Sequence, residues 1–482
     1  MRMRRRTERR CSASSIRRVA ATLPGLALAL ALGGCFLGTE RPDAALDVPP
    51  AYRNPPARTP DAALPSVSWW RGFHSKQLTD LIEESLTSNL DIAVAVAKIV
   101  QADANSRITG AALLPALDFN ASGTRSQSPG ASPRNVISAS FSASYEVDFW
   151  GKNRAALRAI EETAVATRFD REVVALSTMV SVANAYFQVL GAADRLRVAR
   201  NNLAAATRVY NLIQERFGAG VASELDTSQQ ESVVNTVRAS IPPLQLILDQ
   251  NIATLAVLIA RPPERIKVRP GSMSQIRIPP VTPGIPSDLL AQRPDVREAE
   301  AVLASANASV ESARAAFFPT ISLTGDGGYQ SVALRTLLRP ESAFFSLAAG
   351  LTQPVLDGLR LEGQYDLQKG RQDEALQLYR KTVLNAFADV ERALIAVQQT
   401  TERERLQRIV VTSSRRAFEI SERRLREGNI DLVTVLQTQQ TLFQAEDTLA
   451  TARLARLLAV VSLFQALGGG WQMPVEDGQT RP

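Results

Sequence analysis

Two kinds of alternation run along this chain, and each occurs twice. From Ile137 to Phe149, apolar residues (Ile137, Ala139, Phe141, Ala143, Tyr145, Val147, Phe149) alternate with polar ones (Ser138, Ser140, Ser142, Ser144, Glu146, Asp148). A period of two sustained that far predicts a strand with one apolar and one hydrophilic face, long enough to cross a bilayer when tilted. Leu117, Phe119 and Ala121 set against Asp118, Asn120 and Ser122 predict its partner. A second pair is predicted where Ile321, Leu323 and Tyr329 alternate with Ser322, Thr324 and Asp326, and where Phe345, Leu347, Ala349 and Leu351 recur at every other position. The four strands are placed at about 113–125, 136–149, 319–330 and 343–355, and the polar or Pro-containing links 126–135 and 331–342 read as exposed loops.

After each strand pair the spacing changes to three and four. Leu176, Val180, Ala183, Phe187 and Leu190 mark a helical run over about 151–217, and Val383, Phe387, Val390, Leu394 and Val397 mark another over about 359–427. Neither run contains Pro, so each can reach roughly 100 Å at ~1.5 Å per residue. Heptad spacing predicts coiled-coil packing with a neighbouring helix, although a bundle folded on itself would show the same spacing. Each run turns at Gly218–Ser223 or Gly428–Asp431, where Gly supplies a left-handed conformation and Ser223 or Asp431 caps a returning helix, about 224–260 and 432–467. A leading Ala-rich helix, about 76–110 and 286–316, ends at Pro115 or Pro319.

This doubled order is an internal duplication. Ala111-Ala112-Leu113-Leu114-Pro115 recurs as Ala315-Ala316-Phe317-Phe318-Pro319, Asn89-Leu90-Asp91-Ile92 faces Pro294-Asp295-Val296, and Arg216-Phe217-Gly218-Ala219-Gly220 is echoed by Arg424-Leu425-Arg426-Glu427-Gly428. The expected organisation is a signal segment (1–34), a Pro-rich tether (35–73), a first repeat (74–263), a Pro-rich connector (264–285), a second repeat (286–470) and a C-terminal tail (471–482). Both Pro-rich stretches read as extended chain.

Charge changes the picture only through its location. The net charge is +7, yet residues 1–34 hold eight Arg and one acid; taking those away from 55 basic and 48 acidic residues leaves 47 of each. A neutral remainder lacks the basic excess of a nucleic-acid-binding surface, so no nucleic-acid partner is expected. The front segment is Arg-rich, continues into the apolar run Val19–Leu32 and ends in Leu32-Gly33-Gly34-Cys35, which resembles a bacterial lipobox. Cleavage before Cys35 would leave that residue to carry a diacylglycerol and an N-acyl chain, a firm anchor. Phe36 after the cysteine resembles lipoproteins sent on to the outer membrane.

The only other cysteine, Cys11, lies in the discarded segment, and His74 is the single histidine. No metal or nucleophile site can be assembled from His and Cys, no cofactor is expected, and the chain reads as a non-enzyme. Beyond residue 34 no unbroken apolar stretch reaches eighteen residues, so membrane crossing is assigned to the strands. Four strands cannot close a barrel, whereas the smallest membrane barrels use about eight. Two or three copies of the chain must therefore pool strands, and three copies would give twelve. The same face pattern would suit half-buried strands of a soluble sandwich, a reading that the lipobox disfavours.

Four further segments stand out: Ser68-Trp69-Trp70-Arg71 with Phe73, Arg293-Pro294-Asp295-Val296-Arg297, Ala313 to Ile321, and Pro354-Val355-Leu356-Asp357-Gly358. Through them, and over about 35–473, the sequence resembles the TolC-type outer-membrane factors, in particular the NodT-like lipoprotein branch that serves resistance-nodulation-division pumps. The resemblance implies a mainly α fold with a membrane β-barrel portion: a homotrimer with a twelve-stranded barrel above a long periplasmic α-helical barrel. It implies an outer-membrane channel lipoprotein of a tripartite efflux system, passively conducting drugs or other small toxic molecules. Its partners would be a periplasmic membrane-fusion adaptor, an inner-membrane pump of that class and outer-membrane lipid. Alternatives that keep the lipoprotein character are type I protein secretion by the same fold and a surface lipoprotein without a channel. An enzyme using paired carboxylates lacks a clustered acidic motif.

The resemblance also places the two helix turns at the periplasmic mouth, where an adaptor docks. Carried over, the docking candidates are Arg216, Phe217, Gly220 and Ser223 in the first turn and Arg424, Leu425, Gly428 and Asp431 in the second. An aromatic frequent in the second turn is replaced here by Leu425. The pore-constriction candidates are Asp226, Thr434 and Gln437; only the first is acidic, which departs from the acidic gate of some members.

Overall fold

The alternation of period two becomes a four-stranded antiparallel sheet in sequential order: β1 (Ala116–Ser126), β2 (Arg134–Val147), β3 (Thr320–Ser331) and β4 (Ala343–Thr352). This computed structural model describes residue 44 and residues 48–53, 66–130, 132–269, 271–281, 284 and 286–471. Cys35 and the signal segment lie outside the described residues. The register sorts the faces as the sequence pattern does. Leu117, Phe119 and Ala121 lie opposite Ala143, Phe141 and Ala139, while Asp118, Asn120 and Ser122 lie opposite Ser142, Ser140 and Ser138. The same sorting continues across β3 and β4, where Tyr145 faces Leu323 and Leu323 faces Ala349. On the polar face Asn120 Nδ2 donates to Ser142 Oγ (2.9 Å) and the Ser122 and Ser138 hydroxyls meet at 2.9 Å.

Strand ends differ from expectation for local reasons. β4 stops at Thr352 rather than reaching 355, because Pro354 has no N–H to offer a ladder. β2 stops at Val147 rather than Phe149, because the Asp148 carboxylate turns inward to accept from the N–H groups of Asn153 (3.0 Å) and Arg154 (2.9 Å), satisfying the start of the next helix. β1 begins at Ala116 because Ala111–Leu113 still forms a 3-10 turn ahead of Pro115.

The helices are α1 (Lys76–Ser88), α2 (Leu90–Gly110), α3 (Lys152–Gly218), α4 (Glu224–Ala239), α5 (Ile241–Leu258), α6 (Pro286–Gln292), α7 (Pro294–Ala315), α8 (Arg360–Arg426) and α9 (Leu432–Ala466). The long runs α3 and α8 have 67 residues each, about 100 Å at ~1.5 Å per residue. Each leading helix expected to be single is divided. At Asn89 the backbone is extended and the side chain accepts from the N–H groups of Asp91 and Ile92, a cap that begins α2. At Arg293 the following Pro294 forces the same break. The first return helix is also divided, at Ser240 ahead of Pro242 and Pro243, whereas its counterpart α9 is unbroken.

Lateral order follows connectivity. α2 packs on α3, α3 on α7 and α7 on α8, the order of the strands β1, β2, β3 and β4 to which they connect. Farther from the sheet α9 packs between α3 and α8. The main core gathers Phe187, Leu190, Leu255, Leu457 and Val461 with Trp69, Trp70 and Phe73. Trp69 stacks on Phe464 at 4.8 Å and Phe73 lies 5.1 Å from Phe187. Trp69, Trp70 and Phe73 therefore belong to the core and not to the extended tether, since burying such side chains stabilises by about 2–3 kcal/mol each.

More of the tether is docked as well. Tyr52 is buried beside Leu289, Val296 and Val390, Arg53 N donates to Glu391 Oε2 (3.2 Å), and Arg380 Nε donates to the Ala44 carbonyl (2.8 Å). Burial pushes the Tyr52 phenol up to about 12. The connector is held likewise: Asp194 accepts from Met273 N (3.0 Å), Ser272 Oγ (3.1 Å) and Arg197 Nη2 (2.6 Å), and Met273 is buried in the main core. Pro-richness excluded helix and central strand from both segments, yet apolar residues within them pin the chain to the core.

The Arg293-Pro294-Asp295 motif clamps the two ends of the second repeat together. Arg293 pairs with Asp295 through Nε (2.9 Å) and Nη2 (2.6 Å), while Nη1 donates to the Ala466 carbonyl at the end of α9 (3.1 Å). Gly468, at φ 78°, sits so close that a Cβ there would meet the Gln292 carbonyl at 2.3 Å.

One expectation about the membrane needs correction. By length and composition three helical segments, Lys152–Gly218, Glu224–Leu258 and Leu432–Ala466, each carry an 18-residue window apolar enough to cross a bilayer, so composition does not single out the strands. In the first and third, 61% and 50% of that window is buried against other helices, a use for apolar surface that needs no lipid.

Candidate functional site

The two long helices end in turns built alike. At the first, the N–H groups of Gly220 and Val221 return to the carbonyls of Phe217 and Arg216, both at 2.9 Å; at the second, those of Gly428 and Asn429 return to Leu425 (3.1 Å) and Arg424 (2.9 Å). These bonds satisfy carbonyls that a helix C-terminus leaves open. Gly220 at φ 76° and Gly428 at φ 77° occupy the left-handed region, where a Cβ is strained. The next helices are capped as expected. Ser223 Oγ accepts from Asp226 N (3.2 Å) while Asp226 Oδ2 accepts from Ser223 N (2.8 Å), a reciprocal box. Asp431 Oδ1 accepts from Thr434 N (2.7 Å), and that backbone bond holds the Asp431 carboxyl below its usual 3.8.

The structure also brings the two turns together. Arg216 Nη1 donates to the Leu425 carbonyl at 2.5 Å, so a side chain of one turn satisfies the backbone of the other. Leu425 itself is only 2% exposed and packs with Ile213, Phe418, Leu432 and Val435. Named as a docking candidate, Leu425 is thus a core residue of the tip; its repeat counterpart Phe217 is 48% exposed. Arg424, Gly220, Gly428, Ser223 and Asp431 are exposed and Arg216 is half-buried. Of the constriction candidates, Asp226 is half-buried in its capping box, Thr434 is half-buried against Asp431, and Gln437 is exposed.

Behind the tip lies a polar contact that pattern reading missed. Gln230 and Gln439 are fully buried; Gln230 Nε2 donates to the Ala206 carbonyl (3.0 Å) and approaches Gln439 Oε1 (3.4 Å). The only signal available was their spacing, 209 residues, close to the repeat offset. Farther along, buried Glu404 accepts from Arg408 and from Arg456 (2.9 Å), with Arg453 Nε 3.6 Å away. Burial pushes the Glu404 carboxyl up, but bonds from Arg408 and Arg456 outweigh this and hold it below the usual range. Where strands meet helices, Trp150 stacks on Phe318 at 4.7 Å and its Nε1 donates to the Pro319 carbonyl (2.8 Å), joining the two repeats beneath the sheet.

The sheet is the other half of the site. β1 and β4 are its edges, with no strand beyond either among the described residues. Phe119, Phe141, Phe345, Leu347 and Leu351 stand exposed on its apolar face. Exposed apolar surface of this extent on a two-edged sheet is unstable in water. It is satisfied by lipid on one side and by further strands at the edges.

Comparison with known proteins agrees with this geometry. The outer membrane efflux protein family matches residues 81–261 and 285–469, close to the bounds expected for the two repeats. The pyoverdine export outer membrane protein OpmQ of Pseudomonas aeruginosa is 38% identical over 455 residues, covering 92% of this chain and 95% of its own. The toluene efflux pump outer membrane protein TtgC of Pseudomonas putida is 32% identical over 457 residues, covering 92% and 94%. Among solved structures, the outer-membrane channel OprN superposes with a TM-score of 0.85 at 26% identity, covering 91% of this chain and 99% of that one. With both repeats matched and relatives aligned end to end, this chain belongs to the outer membrane efflux protein family and is an outer-membrane channel of an efflux system, of TolC-like fold with a periplasmic helical tunnel.

Proposed function

We propose that three copies of this chain close a twelve-stranded barrel and conduct small organic molecules passively from periplasm to exterior, without catalysing a reaction. The observation that carries this reading is the four-stranded sheet with two open edges and an exposed apolar face. A membrane barrel needs about eight strands at least, and β4 runs antiparallel to β1, so pooled sheets continue an all-antiparallel order. Pyoverdine and toluene, named for two relatives, are small molecules. Energy then comes from an inner-membrane pump, and a periplasmic adaptor docks at the tips through Arg216, Phe217, Gly220, Ser223, Arg424, Gly428 and Asp431, with Leu425 shaping the turn from inside. Docking shifts the tip helices from a closed to an open arrangement past Asp226, Thr434 and Gln437. Acyl chains on Cys35 hold the chain at the membrane.

The test is a deletion strain challenged with a broad panel of small toxicants and rescued by the wild-type gene, alongside the mass of the detergent-purified particle. Sensitisation that the gene reverses, with a particle of three chains, is expected. A monomer, or an unchanged profile across the panel, would overturn the reading. Mass spectrometry of the mature N-terminus tests the lipid: an unmodified thiol at Cys35 removes the anchor from the proposal.

A further inference from the structure

The two tips share one backbone and present different chemistry. In the first, Phe217 is 48%, Val221 63% and Leu225 65% exposed, within a span of nine residues across the turn. Of their counterparts 208 positions on, Leu425 is buried and Asn429 is polar, so the tips differ at these two positions, while Val433 is 52% exposed and apolar like Leu225. Charge is divided in the opposite sense. Position 423 is an exposed Arg where the first tip has Glu215, and position 424 is an exposed Arg whose counterpart, Arg216, is spent on the Leu425 carbonyl. Of the nearby acids, Glu422 pairs with Arg426 (2.5 Å), Glu427 accepts from Asn429 (3.5 Å) and Asp431 caps α9, while Glu419, one turn back along α8, lies beyond ion-pair distance of Arg423. Among the described residues Arg423 and Arg424 have no ion-pair partner.

We infer that the adaptor hairpin docks asymmetrically: its apolar side chains seat on the first tip, over Phe217, Val221 and Leu225, and its carboxylates face Arg423 and Arg424 on the second. This rests on the docking reading above and names the chemistry of the partner. An apolar patch supplies affinity that is insensitive to salt. Exposed guanidinium–carboxylate pairs contribute little to affinity, but they steer approach and fix which way round the partner sits. Because the turns are alike in backbone, these side chains are what distinguish one docking position from the other.

The test has two arms. In the deletion strain, F217S/V221S and R423E/R424E are each compared with wild type for rescue from a toxicant, with trimer content of the outer membrane measured in parallel. Each double variant is expected to lose about ten-fold or more of the rescue at wild-type trimer level, because like charges or a polar patch then face the partner. R423K/R424K, which keeps the charge, recovers most of it. In the second arm, purified trimers in nanodiscs are titrated with two synthetic helical hairpins that share an apolar end and differ only in flanking Asp or flanking Lys. The Asp hairpin is expected to bind about ten-fold tighter at low salt, an advantage lost in R423E/R424E and at high salt. If F217S/V221S fails while R423E/R424E rescues normally, docking at the tips stands and the asymmetry falls. If both rescue normally, the docking reading itself falls. Equal affinity of the two hairpins, or dissociation of the R423E/R424E trimer, would likewise overturn the inference, the latter because the arginines would then face a neighbouring copy.

Discussion

At the first tip an exposed Phe217 and an Arg216 turned inward flank Gly220; at the second a buried Leu425 and an outward Arg424 flank Gly428. The left-handed glycine, the two returning N–H groups and the cap on the next helix are common to both. Duplication copied what a turn between long helices requires, a residue without Cβ and a short polar cap. The positions that the backbone does not constrain have exchanged roles: aromatic for aliphatic, surface for core, tie for free cation. The tips are joined where Arg216 of one reaches the carbonyl of Leu425 in the other, a tie that only one of the two equivalent arginines makes.

The contrast is open to measurement, most directly by hydrogen exchange at the tips, where local opening can be read without assuming that a whole membrane assembly unfolds in one step. Leu425→Ala is expected to weaken local protection by about 2–4 kcal/mol, the cost of a cavity in a closed core, whereas Phe217→Ala costs the folded tip less than about 1 kcal/mol. Similar losses at both sites would mean that core and surface are not divided as described. Arg216→Ala leaves a helix-end carbonyl open and is expected to cost about 1–2 kcal/mol, against no more than about 0.5 kcal/mol for Arg424→Ala; protection that falls equally in both variants would remove the tie between the turns.

Gly220→Ala and Gly428→Ala form the opposite control. Each places a Cβ in the left-handed region at about 1–2 kcal/mol, and the two losses should agree, as the shared backbone requires. The smallest effect is on acidification. Asp431 is held below its usual 3.8, so the stability that it lends the second tip is complete above that value and lost as pH falls through the lower, folded one. Exchange at Leu432–Val435 should rise over that window in wild type and be already raised at neutral pH in Asp431→Ala; a flat profile in wild type would show that the cap does not titrate as described.

Much of this was legible in the chain because it is periodic. Alternation gave the four strands and sorted their faces, since side chains in a strand point to opposite sides whatever surrounds them. The caps Ser223 and Asp431 were readable because they act within three residues of themselves. Less legible are the breaks at Asn89 and Ser240, single residues inside otherwise helical patterns, of which Pro242-Pro243 marks the second. The docking of tether and connector is not legible, because Pro content reports which regular structures are forbidden and says nothing of where Trp69, Tyr52 or Met273 are buried.

By itself the sequence determined a twice-repeated strand–strand–helix–turn–helix unit with a membrane-compatible sheet and Gly turns, all of it carried by local geometry that acts over a few residues. Only the tertiary structure decided that α3 lies against α7 and α9, that Leu425 is inside and Phe217 outside, that Gln230 meets Gln439, and that Glu404 collects arginines from two helices. Those facts depend on which faces of distant segments meet, and a heptad position gives the same pattern whether the neighbour covers it or leaves it to water.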